Sequence, residues 1–221
     1  MTDKITYYRE LVQGSDEWLK ARLGIITASN MAKLITPTGK LADNEDSRDI
    51  VFQILSERMT GIPEETPYNF DMERGNTFEP FARDLYSDSR NRVVECGFVV
   101  REFDGFKIGY SPDGLVGDDG LIEIKCPRQS KHVKEMVENK EPKSAMMQIQ
   151  TGLLVTGRKY CDFLSFYNGM EMRIVPVLPN EELHGLIIQA AQNLEKRVQE
   201  CLEIYKTNAI GMPKAKYIKG I

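Results

Sequence analysis

Between Gly109 and Pro127 the chain reads GYSPDGLVGDDGLIEIKCP, and inside it Gly117-Asp118-Asp119-Gly120 separates two short apolar runs, Leu115-Val116 and Leu121-Ile122. Glycine–aspartate turn chemistry between apolar runs predicts an antiparallel hairpin. A turn centred near Asp118 or Asp119 sets a register in which Asp113 faces Glu123 or lies one step from it. Directly opposed side chains have Cβ atoms about 4.5–5.5 Å apart. Two carboxylates that close repel unless something positive sits between them. A hard cation with oxygen ligands answers this, and Mg²⁺ keeps several waters and completes its octahedron with substrate phosphate oxygens. Mn²⁺ is expected to substitute.

Strand alternation places Glu123 and Lys125 on one face and sends Ile122 and Ile124 into the core. The Ile124 carbonyl is then available as a third metal ligand beside Asp113 and Glu123. Lys125, next to a metal and a phosphate, is suited to orient or deprotonate an attacking water and to stabilise developing charge. The spacing alone is equally compatible with a solvated surface hairpin in which Glu123 and Lys125 form an ordinary ion pair, worth about 0–1 kcal/mol.

The rest of the chain narrows the chemistry by elimination. It has 221 residues, 41% hydrophobic and 28% charged, which suits one soluble domain with a good core. No apolar run approaches a membrane span and MTDKITYYRE lacks a signal-peptide pattern, so a cytoplasmic protein is expected. Four cysteines (Cys96, Cys126, Cys161, Cys201) are far apart without a C-x-x-C pair, and only two histidines (His132, His184) exist. That pattern argues against zinc, iron–sulfur, disulfide and histidine-triad chemistry. Net charge −4 disfavours a simple basic DNA-binding protein. The basic run Lys125, Arg128, Lys131, Lys134, Lys140 and Lys143, directly after the metal strand, reads either as a phosphate-attracting groove or as a solvated helix face.

Ser15 is predicted to cap a short helix that turns Trp18, Leu19 and Leu23 inward and ends at Gly24. A second helix beginning after Thr27 or Ser29 would offer free N–H groups to an anion, joined by the Thr27 and Ser29 hydroxyls and Arg22. Alternatively, Thr27 and Ser29 only cap and Arg22 snorkels. Helices are predicted over 47–60 and from about Asn76, where Glu79 sits as a capping-box glutamate and Phe78, Phe81, Ala82 and Leu85 form the buried spacing. Val93–Arg101 reads as one buried strand. Helices over 130–139 and 144–155 precede a strand over 160–167, and this strand–helix–strand unit predicts parallel pairing. Asn168-Gly169 turns into a strand over 172–177, and Asn180 caps a long helix to about Lys206, followed by a basic tail over 207–221 with Lys214, Lys216 and Lys219.

Several motifs occur in order: Leu23-Gly24-Ile25-Ile26-Thr27-Ala28-Ser29, Gly75 with Glu79, Ser111-Pro112-Asp113-Gly114, Glu123-Ile124-Lys125-Cys126-Pro127, and Gln148-Ile149-Gln150. Together they resemble the lambda-exonuclease type of phage alkaline exonucleases, the YqaJ-like viral recombinase nucleases of the PD-(D/E)xK superfamily, over about 14–167. The resemblance implies a restriction-endonuclease-like α/β core, with a mixed central sheet flanked by helices in a single domain over 1–221. It places Asp113, Glu123, Lys125, Glu79 and Gln150 in the active site, with Gln148 as the alternative glutamine, and assigns Arg22, Ser29 and Ser111 to a terminal 5′-phosphate. It further implies 5′-to-3′ digestion of linear double-stranded DNA to mononucleotides, 3′ overhangs for recombination by strand annealing, a ring-shaped homotrimer, and a phage single-strand annealing protein as partner in a bacterial or phage-infected cell. Arg74 departs from the pattern, standing where an aromatic residue is expected. Two other readings remain: a structure-selective endonuclease of the same fold, and an inactive module that holds DNA ends.

Overall fold

A computed structural model describes residues 3–36, 39–64, 69–216 and 218; the Lys219 end of the tail and parts of the 36–46 and 63–71 connections lie outside these. The chain runs β1 (Lys4–Tyr8), α1 (Asp16–Arg22), β2 (Ile26–Thr27), α2 (Ala28–Leu34), α3 (Glu45–Thr60), α4 (Phe70–Ser89), β3 (Val93–Val94), β4 (Phe98–Phe103), β5 (Phe106–Tyr110), β6 (Gly114–Val116), β7 (Gly120–Lys125), α5 (Gln129–Glu138), α6 (Met146–Thr156), β8 (Tyr160–Ser165), β9 (Arg173–Val177) and α7 (Glu181–Asn208). The strands form two mixed sheets, ordered β1-β4-β5-β2 and β3-β6-β7-β8-β9. The chain crosses from one to the other through Ser111-Pro112-Asp113.

The hairpin forms as its turn chemistry predicts: Gly114 pairs with Ile122 and Val116 with Gly120, the register that opposes Asp113 and Glu123. Gly117 adopts φ 51°, a left-handed conformation that glycine takes without Cβ strain. Buried Arg158 locks the turn by donating to the carbonyls of Val116, Gly117 and Gly120. β7 pairs parallel with β8 through the α5–α6 crossover, and β8 pairs antiparallel with β9 beyond the Asn168-Gly169 turn.

Other expectations give way to packing. β7 is central, so both its faces are covered: Leu121 joins the main core with α2, α3, α6 and α7, while Ile122 and Ile124 join a second cluster with Ala82 and Tyr86 of α4. Val93–Arg101 is two strands in different sheets, and β1 and β5 complete a layer that periodicity did not reveal. α4 begins at Phe70, capped by Asn69, so Glu79 is mid-helix and no capping-box residue. Gly75 does not break this helix. A Cβ there would come within 3.3 Å of Glu79 Oε1, so the glycine leaves room for that carboxylate. Phe81 and Leu85 are exposed, Ala82 and Tyr86 being the buried pair of α4, and Leu19 of α1 is exposed as well. The stripe of α7 covers the main core through Ile187, Ala190, Leu194 and Val198. Among the described residues no helix is long and apolar enough to cross a membrane.

Candidate active site

Glu123 is wholly buried in mid-sheet, and a buried carboxylate requires partners. It has two: the Tyr110 hydroxyl donates to Oε2 at 3.1 Å and Lys125 Nζ to Oε1 at 2.6 Å. Across the hairpin Asp113 Oδ2 accepts the Ile124 N–H at 2.6 Å. β6 starts only at Gly114 while β7 runs on to Lys125, so the Asp113 side chain takes an amide beyond the end of its own strand. This geometry brings the Asp113 carboxylate, the Glu123 carboxylate and the Ile124 backbone together.

The local charge is negative in excess. Burial, then Glu123, pushes the Asp113 carboxyl well above the ordinary carboxylate range. Glu79, on α4, is also pushed up, by burial and Glu123, with Lys125 and Arg83 acting the other way. Burial alone would lower the Lys125 ammonium, but Glu123, Asp113 and Glu79 outweigh it and hold the charged form. Tyr110 is driven far up by burial and Glu123, so its hydroxyl stays a donor. Three acids that share Lys125, with Arg83 acting on Glu79 as well, form an acid-rich set to which a divalent cation is complementary. Among the described residues no three His, Cys, Asp or Glu side chains are gathered tightly enough to hold a metal by themselves. The fitting donor set is therefore two carboxylates, Asp113 and Glu123, with the Ile124 carbonyl, and this suits an ion that retains water and takes substrate oxygens.

Lys125 has a second partner, donating to Gln148 Oε1 at 3.1 Å. Gln150 is elsewhere: it is buried, donates to the Leu178 carbonyl at 2.8 Å and accepts the Asn180 N–H at 2.9 Å, tying α6 to the start of α7. The two glutamines are separated by about 200° around the helix, so only one reaches the strand end. Of the two glutamines, Gln148 is the one that the structure brings to Lys125, and Gln150 is not.

A second group assembles where the sheets meet. Arg22 stacks on the Trp18 ring at 3.9 Å and its Nη1 donates to Ser111 Oγ at 3.5 Å. Trp18 Nε1 donates to both Ser111 Oγ and the Gly97 carbonyl at 3.0 Å. Ser29 Oγ lies 3.1 Å from Thr27 Oγ1, and parallel pairing sets Thr27 beside Gly109, two residues before Ser111. Thr27 makes no side-chain cap bond to α2, so its hydroxyl is not serving the helix start. Burial lowers the Arg22 guanidinium to about 10, with Glu57 opposing, and it remains a cation at neutral pH. Trp18, read from the sequence only as an inward-facing residue, thus holds both Arg22 and Ser111. Indole donors paired at such long range carry no local sequence signal.

The basic run is partly neutralised. Lys134 and Lys140 pair with Glu138, and Arg128 pairs with Asp71. Lys131 and Lys143 are exposed.

Mixed sheets flanked by helices, with opposed carboxylates and a lysine on a central strand, define an α/β protein of the alkaline-exonuclease fold. The chain belongs to the YqaJ-like viral recombinase domain family, which its residues 17–159 match. It is similar in structure to the alkaline exonuclease LHK-Exo from Laribacter hongkongensis, with 30% identity and a TM-score of 0.77 over 90% of this chain and 100% of that one. The same exonuclease in complex with dAMP matches with a TM-score of 0.75. A phage-related exonuclease from Haemophilus somnus, 16% identical, shares the fold with a TM-score of 0.61 over 85% of this chain and 99% of that one. An uncharacterized protein of Acanthamoeba polyphaga mimivirus is 27% identical over 176 residues, 73% of this chain; the chain spans 30% of that relative's length. Membership of this family and the likeness to LHK-Exo support a nuclease role of exonuclease type.

Proposed function

We propose that the chain is a Mg²⁺-dependent 5′-to-3′ exonuclease that degrades one strand of linear double-stranded DNA to mononucleotides and leaves 3′ single-stranded overhangs for recombination by annealing. The observation that carries this reading is the opposition of Asp113 and Glu123 across a hairpin, with Lys125 bonded to Glu123 and the Arg22–Ser111 pocket at the neighbouring sheet junction. Mononucleotide release is in keeping with the dAMP complex of the related exonuclease.

In this mechanism Asp113, Glu123 and the Ile124 carbonyl hold the metal, which when bound supplies Lewis-acid stabilisation of the phosphate charge and a water of lowered pKa. Lys125, kept cationic by its carboxylate neighbours and steered by Gln148, orients the attacking water and meets the developing charge. Glu79 brings a third carboxylate to the same space, suited to hold that water or to take its proton. Arg22 and Ser111, with Ser29 and Thr27 alongside, bind a terminal 5′-phosphate by charge-assisted hydrogen bonds. Exposed Lys131 and Lys143 draw the backbone toward the site. A homotrimeric ring and an annealing-protein partner complete the proposal, to be checked by sedimentation and by co-purification with a phage annealing protein.

The deciding experiment measures nucleotide release from linear duplexes with 5′-phosphate or 5′-hydroxyl ends, with Mg²⁺ or chelator, for wild type and Lys125→Ala. Metal-dependent release, faster from the phosphorylated end and lost in the variant, is expected. Equal cutting of a closed circular duplex would make the protein an endonuclease of this fold. DNA-end binding without cleavage under any divalent metal would make it a binding module.

A further inference from the structure

Helix α4 grips the carboxylate hairpin at both of its ends and carries Glu79 between the two contacts. Arg83 Nε donates to the Asp113 carbonyl at 2.9 Å, where the chain enters the hairpin. Arg74 Nε donates to the Cys126 carbonyl at 2.8 Å, immediately after Lys125. Each guanidinium is pinned by a second bond: Arg83 pairs with Glu95 at 3.1 Å and Arg74 with Asp71 at 2.9 Å, and the arginine side chains are only 17% and 21% exposed. A planar fork is needed to bond a backbone oxygen through Nε while a terminal nitrogen pairs with a carboxylate. Lysine has no such geometry.

These bonds fall where the sheets provide none. β5 ends at Tyr110 and β6 begins at Gly114, so the segment between them crosses between sheets outside either ladder. Its carbonyls are held from outside: Gln13 Nε2 donates to Pro112 at 2.9 Å, and Arg83 takes Asp113. The Asp113 side chain has two torsions and, among the described residues, one backbone donor, the Ile124 N–H, so the aim of its carboxylate follows the backbone that Arg83 holds. At the far end β7 stops at Lys125, whose carbonyl accepts the Phe166 N–H at 2.9 Å, and Arg74 holds the next carbonyl.

We propose that Arg83 and Arg74 are positioning residues that divide the hairpin between them, Arg83 setting the Asp113 carboxylate and Arg74 the strand end that carries Lys125. The assignment rests on the nuclease reading above.

The test uses folded Arg83→Ala, Arg83→Lys, Arg74→Ala and Arg74→Lys proteins and three readouts: Mn²⁺ binding by electron paramagnetic resonance without DNA, hydrogen exchange of the Ile124 amide by NMR, and kcat at saturating metal. Outer partners of metal ligands typically contribute about 10–100-fold in affinity. Arg83→Ala is expected to weaken Mn²⁺ binding by about that factor and to speed Ile124 exchange. Arg74→Ala is expected to leave both unchanged and to lower kcat. Unaltered Mn²⁺ binding and Ile124 exchange in Arg83→Ala would overturn the proposal, as would full restoration by lysine, which keeps the charge without the fork. Should Arg83→Ala fail to fold, Arg83→Gln, which retains a donor, carries the same measurements. Absence of Mn²⁺ binding in the wild type would sink the nuclease reading, whereas Ile124 exchange would still decide the role of Arg83.

Discussion

Asp113, Glu123 and Lys125 belong to one hairpin, whereas Arg22 and Ser111 are 89 positions apart and Trp18 and Ser111 are 93 apart. The first group is set by a local turn and the alternation of one strand. The second exists only because α1 packs against the junction between two sheets. Their electrostatics differ as well: the hairpin gathers acids in excess of its one lysine, and the pocket sets a single cation on an indole ring among hydroxyls. A group with excess negative charge suits a cation, and a group with a buried cation suits an anion. The difference teaches that two sites joined by the short Ser111-Pro112-Asp113 crossing can draw their remaining residues from unrelated parts of the chain and take opposite charge.

The comparison breaks most visibly at the hairpin. Asp113→Asn and Lys125→Ala are each expected to lower the single-turnover rate by about 10²–10⁴-fold with little change in DNA affinity, measured by quench-flow and by fluorescence anisotropy. A comparable fall in affinity would mean that the hairpin binds rather than reacts. Arg22→Ala should act at the other site, erasing the preference for 5′-phosphate over 5′-hydroxyl ends. A charge-assisted hydrogen bond contributes about 1.5–3 kcal/mol, so the preference should shrink by about 10–100-fold. An undiminished preference would remove Arg22 from the pocket.

Trp18→Phe separates the two contributions of the indole. The ring stays beneath Arg22, but the donor to Ser111 and Gly97 is lost, so end preference should fall by only about 2–10-fold. A loss equal to that of Arg22→Ala would show that Ser111 alignment matters as much as the guanidinium. The smallest effect concerns stability. The folded-state pKa values of Asp113 and Glu79 are raised, so their contribution is fully present below the unfolded values near 4 and is lost as pH rises through the folded ones. Melting temperature in chelator should therefore drift downward from mildly acidic to neutral pH relative to Asp113→Asn. Mg²⁺ should restore it at the upper end by binding the ionised pair. A pH-independent difference between wild type and Asp113→Asn would contradict the charge excess.

Much of the carboxylate site was legible because a glycine–aspartate turn and the two-residue period are local properties. The same logic stopped short at Glu123. Alternation placed it on one face, but that the face is sealed, with Tyr110 as its partner, depends on the sheets around it. Starting a helix near Asn76 misplaced the beginning of α4, which Asn69 caps ahead of Phe70, and made Glu79 a cap residue, because the apolar spacing that marks the helix sets in only at Phe78. Gln150 and Gln148 could not be told apart without knowing which face of α6 meets β7 and which meets α7. Phe81 and Leu85 carry the helical period of a buried stripe yet are exposed, since no described element covers that side of α4.

Sequence by itself determined the hairpin, its register to within one residue, the parallel β7–β8 crossover and the long α7, all consequences of turn propensity and short-range periodicity, and the structure fixed the register that opposes Asp113 and Glu123. Tertiary structure alone decided that β7 is buried on both faces, that Trp18 joins Arg22 to Ser111, that Gln148 rather than Gln150 meets Lys125, and that Arg74 and Arg83 clasp the ends of the hairpin. Backbone conformation is governed by neighbours in the chain, whereas the partners of a buried polar group are whichever elements packing brings within hydrogen-bonding distance, however far apart they are in sequence.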